Sequence, residues 1–199
     1  VAAFSVRTAI LLSIIPGLLA TLAILYAIRR LSKLERHERQ PIRLQVRPVI
    51  RAGLGRLMLS VSAFEFGNIA ATLLILRATQ LLTPTEGADA ATSTAILLYI
   101  AYNVAATLSS VPAGHLSDRA SPRFVLAVGI LAFLLAYGTF AATGASVPVL
   151  LLAFVLAGVG IGCVETAEHA AVAVAAPADI RGSAFGLLAA VQSFGNLVA

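Results

Sequence analysis

The chain has 199 residues, of which 59% are hydrophobic and only 12% are charged, and its formal net charge is +5. An ordinary soluble domain is about 45–50% apolar and about 25% charged, so a mean hydropathy of +0.95 leaves too much apolar side chain for a surface in water. The composition therefore excludes soluble, disordered, collagen-like and disulfide-scaffold classes, and it predicts a protein whose solvent is lipid.

The first predicted element is a membrane-spanning helix over the uncharged run of 21 residues from Thr8 to Ile28, with a kink near Pro16. About 20 residues are needed to cross the hydrocarbon core. The basic loop, Arg29 to Arg56, follows with nine Lys and Arg against two Glu, whereas the rest of the chain sums to −2. Such a loop beside apolar segments is typical of a cytoplasmic connector at the membrane. We therefore expect the lipid bilayer, and no nucleic acid, as its partner.

Five more helices are predicted after the basic loop, each from a stretch with few or no charges: 57–82, 90–114, 124–143, 148–176 and 183–199. The run from Phe124 to Val164 has 41 uncharged residues, twice a span, so two helices share it. The last helix has 16 uncharged residues, about 24 Å at 1.5 Å per residue, which is short of a full crossing. The sequence thus predicts an all-α polytopic bundle of five complete transmembrane helices and one truncated helix.

The distribution of Lys and Arg sets the predicted orientation, because cytoplasmic loops are enriched in these residues. With the basic loop inside, five alternating crossings also place the connectors 115–123 and 177–183 inside. These three segments hold nine, two and one basic residues, and the outside connectors 83–89 and 144–148 hold none. Twelve of the fourteen basic residues thus fall on one side, so the helix count and the orientation support each other.

A charged motif ends the predicted third helix: Gly114-His115-Leu116-Ser117-Asp118-Arg119-Ala120-Ser121-Pro122-Arg123. It resembles the signature of the major facilitator superfamily, which has a Gly, a Leu, an Asp-Arg pair and a closing basic residue between the second and third helices of each half. The motif here also joins the second and third helices after the basic loop. Asn68 with Leu76-Arg77-Ala78, and Glu165-Thr166 followed by Arg181-Gly182, are similar to later helices of the same family.

This resemblance implies a domain organisation. Residues 1–28 correspond to the last helix of the N-terminal half of such a transporter, residues 29–56 to its central cytoplasmic loop, and residues 57–199 to its C-terminal half without the final helix. We therefore expect the missing N-terminal half of the same protein to be a partner of this chain.

The signature departs from the family at two positions, Ser121 and Pro122, where the family usually has a Gly and a basic residue. Local structure accounts for the change, because a serine can cap the next helix and a proline fits its first turn. The remaining signature residues are implied to make the gate contacts that hold one conformation, although a charged loop that only fixes topology is the alternative. The candidate gate residues are Gly114, Asp118, Arg119 and Arg123.

Polar and charged side chains inside the predicted spans are the candidate cavity or coupling residues: Glu65, Asn68, Arg77, Tyr99, Asn103 and Glu165. A charge near the bilayer centre costs roughly 2.5 kcal/mol or more, so such residues are functional by default. Tyr99 and Asn103 belong to a polar stripe on one face of the third helix, which must face a neighbouring helix or water. Arg77 either binds an anionic substrate or reaches the outer headgroups.

Glu65 and Glu165 are the predicted proton-coupling candidates, because a low-dielectric cavity favours the protonated carboxyl and both lie on helices that correspond to cavity-lining helices of the family. Glu165 also shares a face with Gly158 and Gly162, whose spacing predicts a close helix contact. Glu168 and His169 are expected nearer the inner interface, where a glutamate either pairs with an Arg or a His or extends its carboxylate to that interface, a structural role in both cases.

The sequence carries no Gly-x-Ser-x-Gly or His-Glu-x-x-His motif, so we expect neither an enzyme nor a metal or cofactor site. The resemblance implies a secondary transporter that moves a small molecule across a bacterial plasma membrane by alternating access. Proton-coupled efflux is one mode that this class allows. The alternative is a non-transporting receptor or scaffold built on the same helices.

Overall fold

The structure is a computed structural model that describes residues 6–31, 46–68, 71–142, 144 and 146–198. The chain divides into two units, Val1–Ile42 and Arg43–Ala199. The first unit contains helix α1 (Val6–Leu31), which includes the predicted span from Thr8 to Ile28 and continues through Pro16.

The second unit is built from helices in the part of the chain that the structure describes, and no strand occurs there. Its elements are α2 (Val46–Val49), a π-helical turn (Ile50–Leu54), α3 (Gly55–Gly67), α4 (Ala71–Glu86), α5 (Ala88–Arg119), α6 (Pro122–Ala142), α7 (Val147–Ala175) and α8 (Arg181–Val198). Four stretches are long and apolar enough to cross a membrane: 55–86, 88–119, 122–142 and 147–175. They coincide with the second to fifth predicted helices, and the all-α polytopic class is confirmed.

Helix α7 lies at the centre of the second unit, where it packs against both α5 and α6. Gly158 and Gly162 bring its backbone onto α5, because a Cβ at Gly158 would collide with the carbonyl oxygen of Tyr102 and one at Gly162 with Ser109 Oγ. Small residues of this kind let helices approach closely where lipid supplies no hydrophobic driving force. The close contact predicted from the glycine spacing is therefore present.

The predicted second helix, 57–82, is divided in the structure. Helix α3 ends at Gly67, and Asn68 has an extended backbone with φ −82° and ψ 107° before α4 begins at Ala71. Glycine and asparagine are poor helix formers, since glycine loses the most backbone entropy and asparagine hydrogen-bonds nearby backbone in non-helical conformations. A broken helix within a span is typical of transporter binding regions.

The connectors on either side of α5 are shorter than predicted. In place of a loop over 83–89, α4 runs to Glu86 and Gly87 alone makes the turn with φ +80°, a conformation that glycine adopts without steric cost. In place of a loop over 115–123, α5 continues through Pro112 to Arg119, since residues 115–119 include no proline or glycine. Ser121 Oγ accepts a hydrogen bond from Phe124 N at 3.2 Å, so the predicted cap of α6 is confirmed.

Candidate functional site

Side chains from α3 with the residue after it, from α7 and from α8 line a partly open polar cavity of about 260 Å³. It is lined by Glu65, Asn68, Ile161, Glu165, Ala189, Gln192, Ser193 and Asn196. We call it the carboxylate cavity, because two of these residues are glutamates and, among the described residues that line it, none is basic. Three of the predicted cavity residues, Glu65, Asn68 and Glu165, are thus brought together.

Glu65 is the more deeply buried of the two lining glutamates, with 3% of its surface exposed. The backbone of α8 passes directly over it, since a Cβ at Gly195 would collide with Glu65 Cβ. The rings of Phe66 and Phe194 meet edge to face beside this contact, with centroids 5.9 Å apart. Glycine at position 195 therefore allows α8 to close one wall of the carboxylate cavity.

Asn68, at the break after α3, is also hydrogen-bonded to helix α6. Its backbone N–H donates to the carbonyl of Glu65 at 3.3 Å, and its side-chain Oδ1 accepts a hydrogen bond from the Tyr137 hydroxyl of α6 at 3.1 Å. The same side chain lines the carboxylate cavity. A conformational change at Asn68 would therefore alter both the cavity wall and the hydrogen bond to α6.

Glu165 lies on α7 with its side chain exposed on the cavity side. Its backbone carbonyl is 2.7 Å from His169 Nδ1, within hydrogen-bond distance. The His169 ring also stacks on Phe185 of α8 at 6.0 Å. The histidine is thus held by its own helix and by an aromatic ring.

Glu168 is a residue whose surroundings the sequence did not indicate. The side chain is 1% exposed, and Oε2 accepts a hydrogen bond from Gln192 Nε2 of α8 at 2.9 Å. Among the described residues, the buried Oε1 has no hydrogen-bond partner. A buried carboxyl oxygen without a partner is energetically costly, and Gln192 connects it directly to the lining of the carboxylate cavity.

The polar stripe of α5 forms a separate surface. Asn103 Nδ2 donates to the carbonyl of Tyr99 at 2.8 Å, and Thr107 Oγ1 donates to the carbonyl of Asn103 at 2.9 Å. These three residues line an open depression of about 420 Å³ together with apolar neighbours on the same helix. The structure therefore places Tyr99 and Asn103 outside the carboxylate cavity. Arg77 is exposed on α4 and does not line that cavity either.

The signature residues lie where α5 ends and α6 begins. Asp118, Arg119 and Arg123 are exposed there. Gly114 is half-buried against α7, and a Cβ at this position would lie 3.8 Å from Thr166 Cγ2, an ordinary contact distance. The gate contacts implied for these residues stay a prediction.

The described geometry defines a multi-pass helical membrane protein with charged side chains around a partly open cavity between its helices. The family model for the Major Facilitator Superfamily matches residues 57–199, so the chain belongs to that superfamily, whose members are membrane transporters and generally not enzymes. No curated protein and no solved structure is significantly similar to the chain.

Proposed function

We propose that the chain is part of a secondary transporter that moves a small molecule across a bacterial plasma membrane by alternating access, with export coupled to proton entry. In this proposal residues 57–199 form most of the C-terminal half, residues 1–28 the last helix of the N-terminal half, and residues 29–56 the cytoplasmic loop between them. The rest of the N-terminal half supplies the other wall of the transport pathway.

The observation that carries this proposal is the placement of Glu65 and Glu165 around one cavity between apolar helices. Ionisable side chains are expensive inside a membrane and mark substrate or proton pathways there. A carboxyl group whose surroundings alternate between water and a low-dielectric cavity binds a proton on one side and releases it on the other. The carboxylate cavity therefore has the chemistry that proton coupling requires.

The broken helix at Asn68 supports the alternating-access part of the proposal. Transporters place discontinuous helices at their binding sites, where unwound backbone faces the ligand and the two helix segments can change angle. Here α3 and α4 contact different partners, since α3 packs on α8 and α4 packs on α5. Movement of α3 with α8 against α4 with α5 would open or close the carboxylate cavity.

Transport by the intact protein in proteoliposomes tests the proposal. A panel of labelled amines, amino acids, sugars and organic acids would be offered with and without an imposed pH gradient. Glu65→Gln and Glu165→Gln mimic the protonated carboxyl, so each variant should keep substrate exchange at saturating substrate concentration while losing accumulation driven by the gradient. Glu86→Gln is the matched control, because Glu86 is exposed at the end of α4 and bonds Thr94 outside the cavity. Normal accumulation by both cavity variants would contradict proton coupling at these residues.

A test of the proposed gate role of Asp118 distinguishes a transporter from a receptor built on the same helices. We expect Asp118→Asn to slow turnover with little change in substrate binding, because the residue is exposed at the end of α5 and does not line the carboxylate cavity. Ligand binding without transport of any compound, in the unmodified protein, would instead favour the receptor.

A further inference from the structure

The carboxylate cavity has an unbalanced charge. Of its six polar lining residues, two are carboxylates, three are carboxamides and one is a hydroxyl: Glu65 and Glu165; Asn68, Gln192 and Asn196; and Ser193. Every one of these groups offers an oxygen acceptor, whereas the lining supplies no cationic side chain. An anionic ligand would be repelled by the two carboxylates, and a cationic ligand would be attracted.

The charged groups on the surrounding helices do not supply the missing cation. Arg56 precedes Glu65 by nine residues on α3, and Arg181 precedes Gln192 by eleven on α8, which is about 14 Å and about 17 Å along a helix axis. Arg181 also donates to the carbonyl of Ala176 at 3.4 Å. His169, on α7, interacts electrostatically with Glu165 but does not line the cavity.

The surroundings of Glu168 also indicate that the carboxylates at this site lack a positively charged partner. Glu65 and Glu165 line the cavity, and Glu168 Oε2 is hydrogen-bonded to Gln192 of the same lining. Among the described residues, the buried Oε1 of Glu168 has no hydrogen-bond partner. Like charges gathered at one partly buried site are costly unless protons or a cation neutralise them.

The size and surface of the cavity favour a compact organic cation over a metal ion. A volume of about 260 Å³ is just below the range of roughly 300–1,000 Å³ that holds drug-sized ligands. Ile161 and Ala189 give it an apolar patch for the carbon atoms of a ligand. Among the described residues, no group of three or more His, Cys, Asp or Glu side chains is arranged to hold a metal ion.

We propose that the carboxylate cavity binds a compact organic cation bearing an ammonium, amidinium or guanidinium group, which donates hydrogen bonds to Glu65 and Glu165. Such groups carry several N–H donors and pair with carboxylates through short, charge-assisted bonds. The inference rests on the proposed function and names the substrate class of that transporter.

Three probes of nearly identical shape test the charge preference: benzamidine, which is a cation, benzamide, which is neutral, and benzoate, which is an anion. Their binding to the intact protein in nanodiscs would be measured by calorimetric titration at neutral pH. We expect benzamidine to bind at least tenfold more tightly than benzamide, and benzoate not to bind. Equal binding of the three, binding of none, or a preference for benzoate would overturn the proposal.

Variants of the two lining glutamates test whether benzamidine binds in the carboxylate cavity. Glu165→Gln should weaken benzamidine binding about tenfold or more, the loss expected for a hydrogen bond to a charged group, whereas Glu165→Asp should retain most of the affinity. Because Glu165 is exposed in the cavity wall, its replacement leaves the helix packing intact, and Glu65→Gln is the second variant. Glu86→Gln is the control and should bind benzamidine normally. Unchanged affinity in Glu165→Gln and Glu65→Gln would place the cation elsewhere and overturn the proposal.

The failure of this inference is distinguishable from failure of the proposed function. Proton-driven transport of a neutral or anionic compound, with no benzamidine binding, would overturn the cation site and leave the transporter intact. Benzamidine binding that depends on Glu165, without transport of any organic cation in proteoliposomes, would support the site and contradict transport.

Discussion

Helix α7 has two regions with opposite chemistry. Its first part approaches α5 and α6 through glycines, with Gly158 on the α5 backbone and Gly160 against the Phe133 ring of α6. Its second part carries Glu165 and Glu168 toward α8, which it contacts through polar groups beside the carboxylate cavity and through apolar packing at Val172. We call the first part the glycine seam. Close backbone contact at the glycine seam holds the first part of α7 in one position against α5 and α6. The open volume beside the second part leaves room for that part and α8 to move relative to each other.

The difference shows how one helix serves two purposes in lipid. Apolar side chains gain little by leaving lipid for a protein interior, so close packing of small residues has to stabilise the fixed contacts. Helices that line a cavity lack close packing there, so hydrogen bonds and a few close contacts must hold them together. Substitutions in the glycine seam should therefore affect folding, and substitutions at the carboxylate cavity should affect function first.

The largest expected effect is on the glycine seam. Gly158→Leu places a side chain where the carbonyl of Tyr102 lies, so the free energy of unfolding should fall by about 3 kcal/mol, the upper end for overpacking a tight interior. Thermal unfolding of the intact protein in detergent measures this. Gly138→Leu on α6 is the matched control, since nothing lies within 4 Å of a Cβ there. Equal melting temperatures for the two variants would show that the seam does not hold the helices.

The next effect is at the wall of the carboxylate cavity. Gly195→Ala brings a methyl group against Glu65 Cβ, so α8 must shift, and we expect a loss of about 1–2 kcal/mol in unfolding free energy. Transport should fall more than stability, because the shift moves Glu65. Gly182→Ala, on the same helix with open space around its Cβ, should melt and transport like the parent protein. A Gly195→Ala protein with full transport would contradict the wall position.

Much of the helical architecture could be predicted from the sequence. The fourth and fifth predicted helices, 124–143 and 148–176, differ from α6 and α7 by one or two residues at each end. A bilayer fixes the length of a charge-free run, and proline or glycine marks its ends. The division of the second helix was not predicted, because the residues around Asn68 read as one apolar run with isolated polar positions.

The candidate site was predicted only in part, for a geometric reason. Glu65 and Glu165 stand out in the sequence because charged residues are rare in membrane spans. The contact of Glu168 with Gln192 depends on the register of α8 against α7, which joins residues 24 positions apart. Helical spacing within α7 indicates the face of Glu168, but nothing in one helix indicates which residue of another lies opposite.

An effect of similar size is expected at the Glu168 and Gln192 pair. Gln192→Leu removes the group that donates a hydrogen bond to Glu168 Oε2. This carboxyl oxygen then loses its partner in a buried site, so the unfolding free energy should fall by about 1–3 kcal/mol. Adding Glu168→Leu should restore most of that loss, because removing both partners costs little when the shape is kept. Chemical denaturation of the two single variants and the double variant measures the coupling. Additive losses would mean that the two side chains do not interact in the protein.

The smallest expected effect is on the bond between the broken helix and α6. Tyr137→Phe removes the hydroxyl that donates to Asn68 Oδ1 and keeps the ring that packs on Phe133 with centroids 5.5 Å apart. A single hydrogen bond of this kind contributes about 1 kcal/mol, so the melting temperature should change little. Asn68 lines the carboxylate cavity, however, and freeing it should alter the transport rate more than ligand affinity. Tyr99→Phe is the matched control, because it removes a tyrosine hydroxyl on α5 at a residue that does not line the carboxylate cavity. If both variants change the rate equally, the break at Asn68 has no special part in opening and closing the cavity.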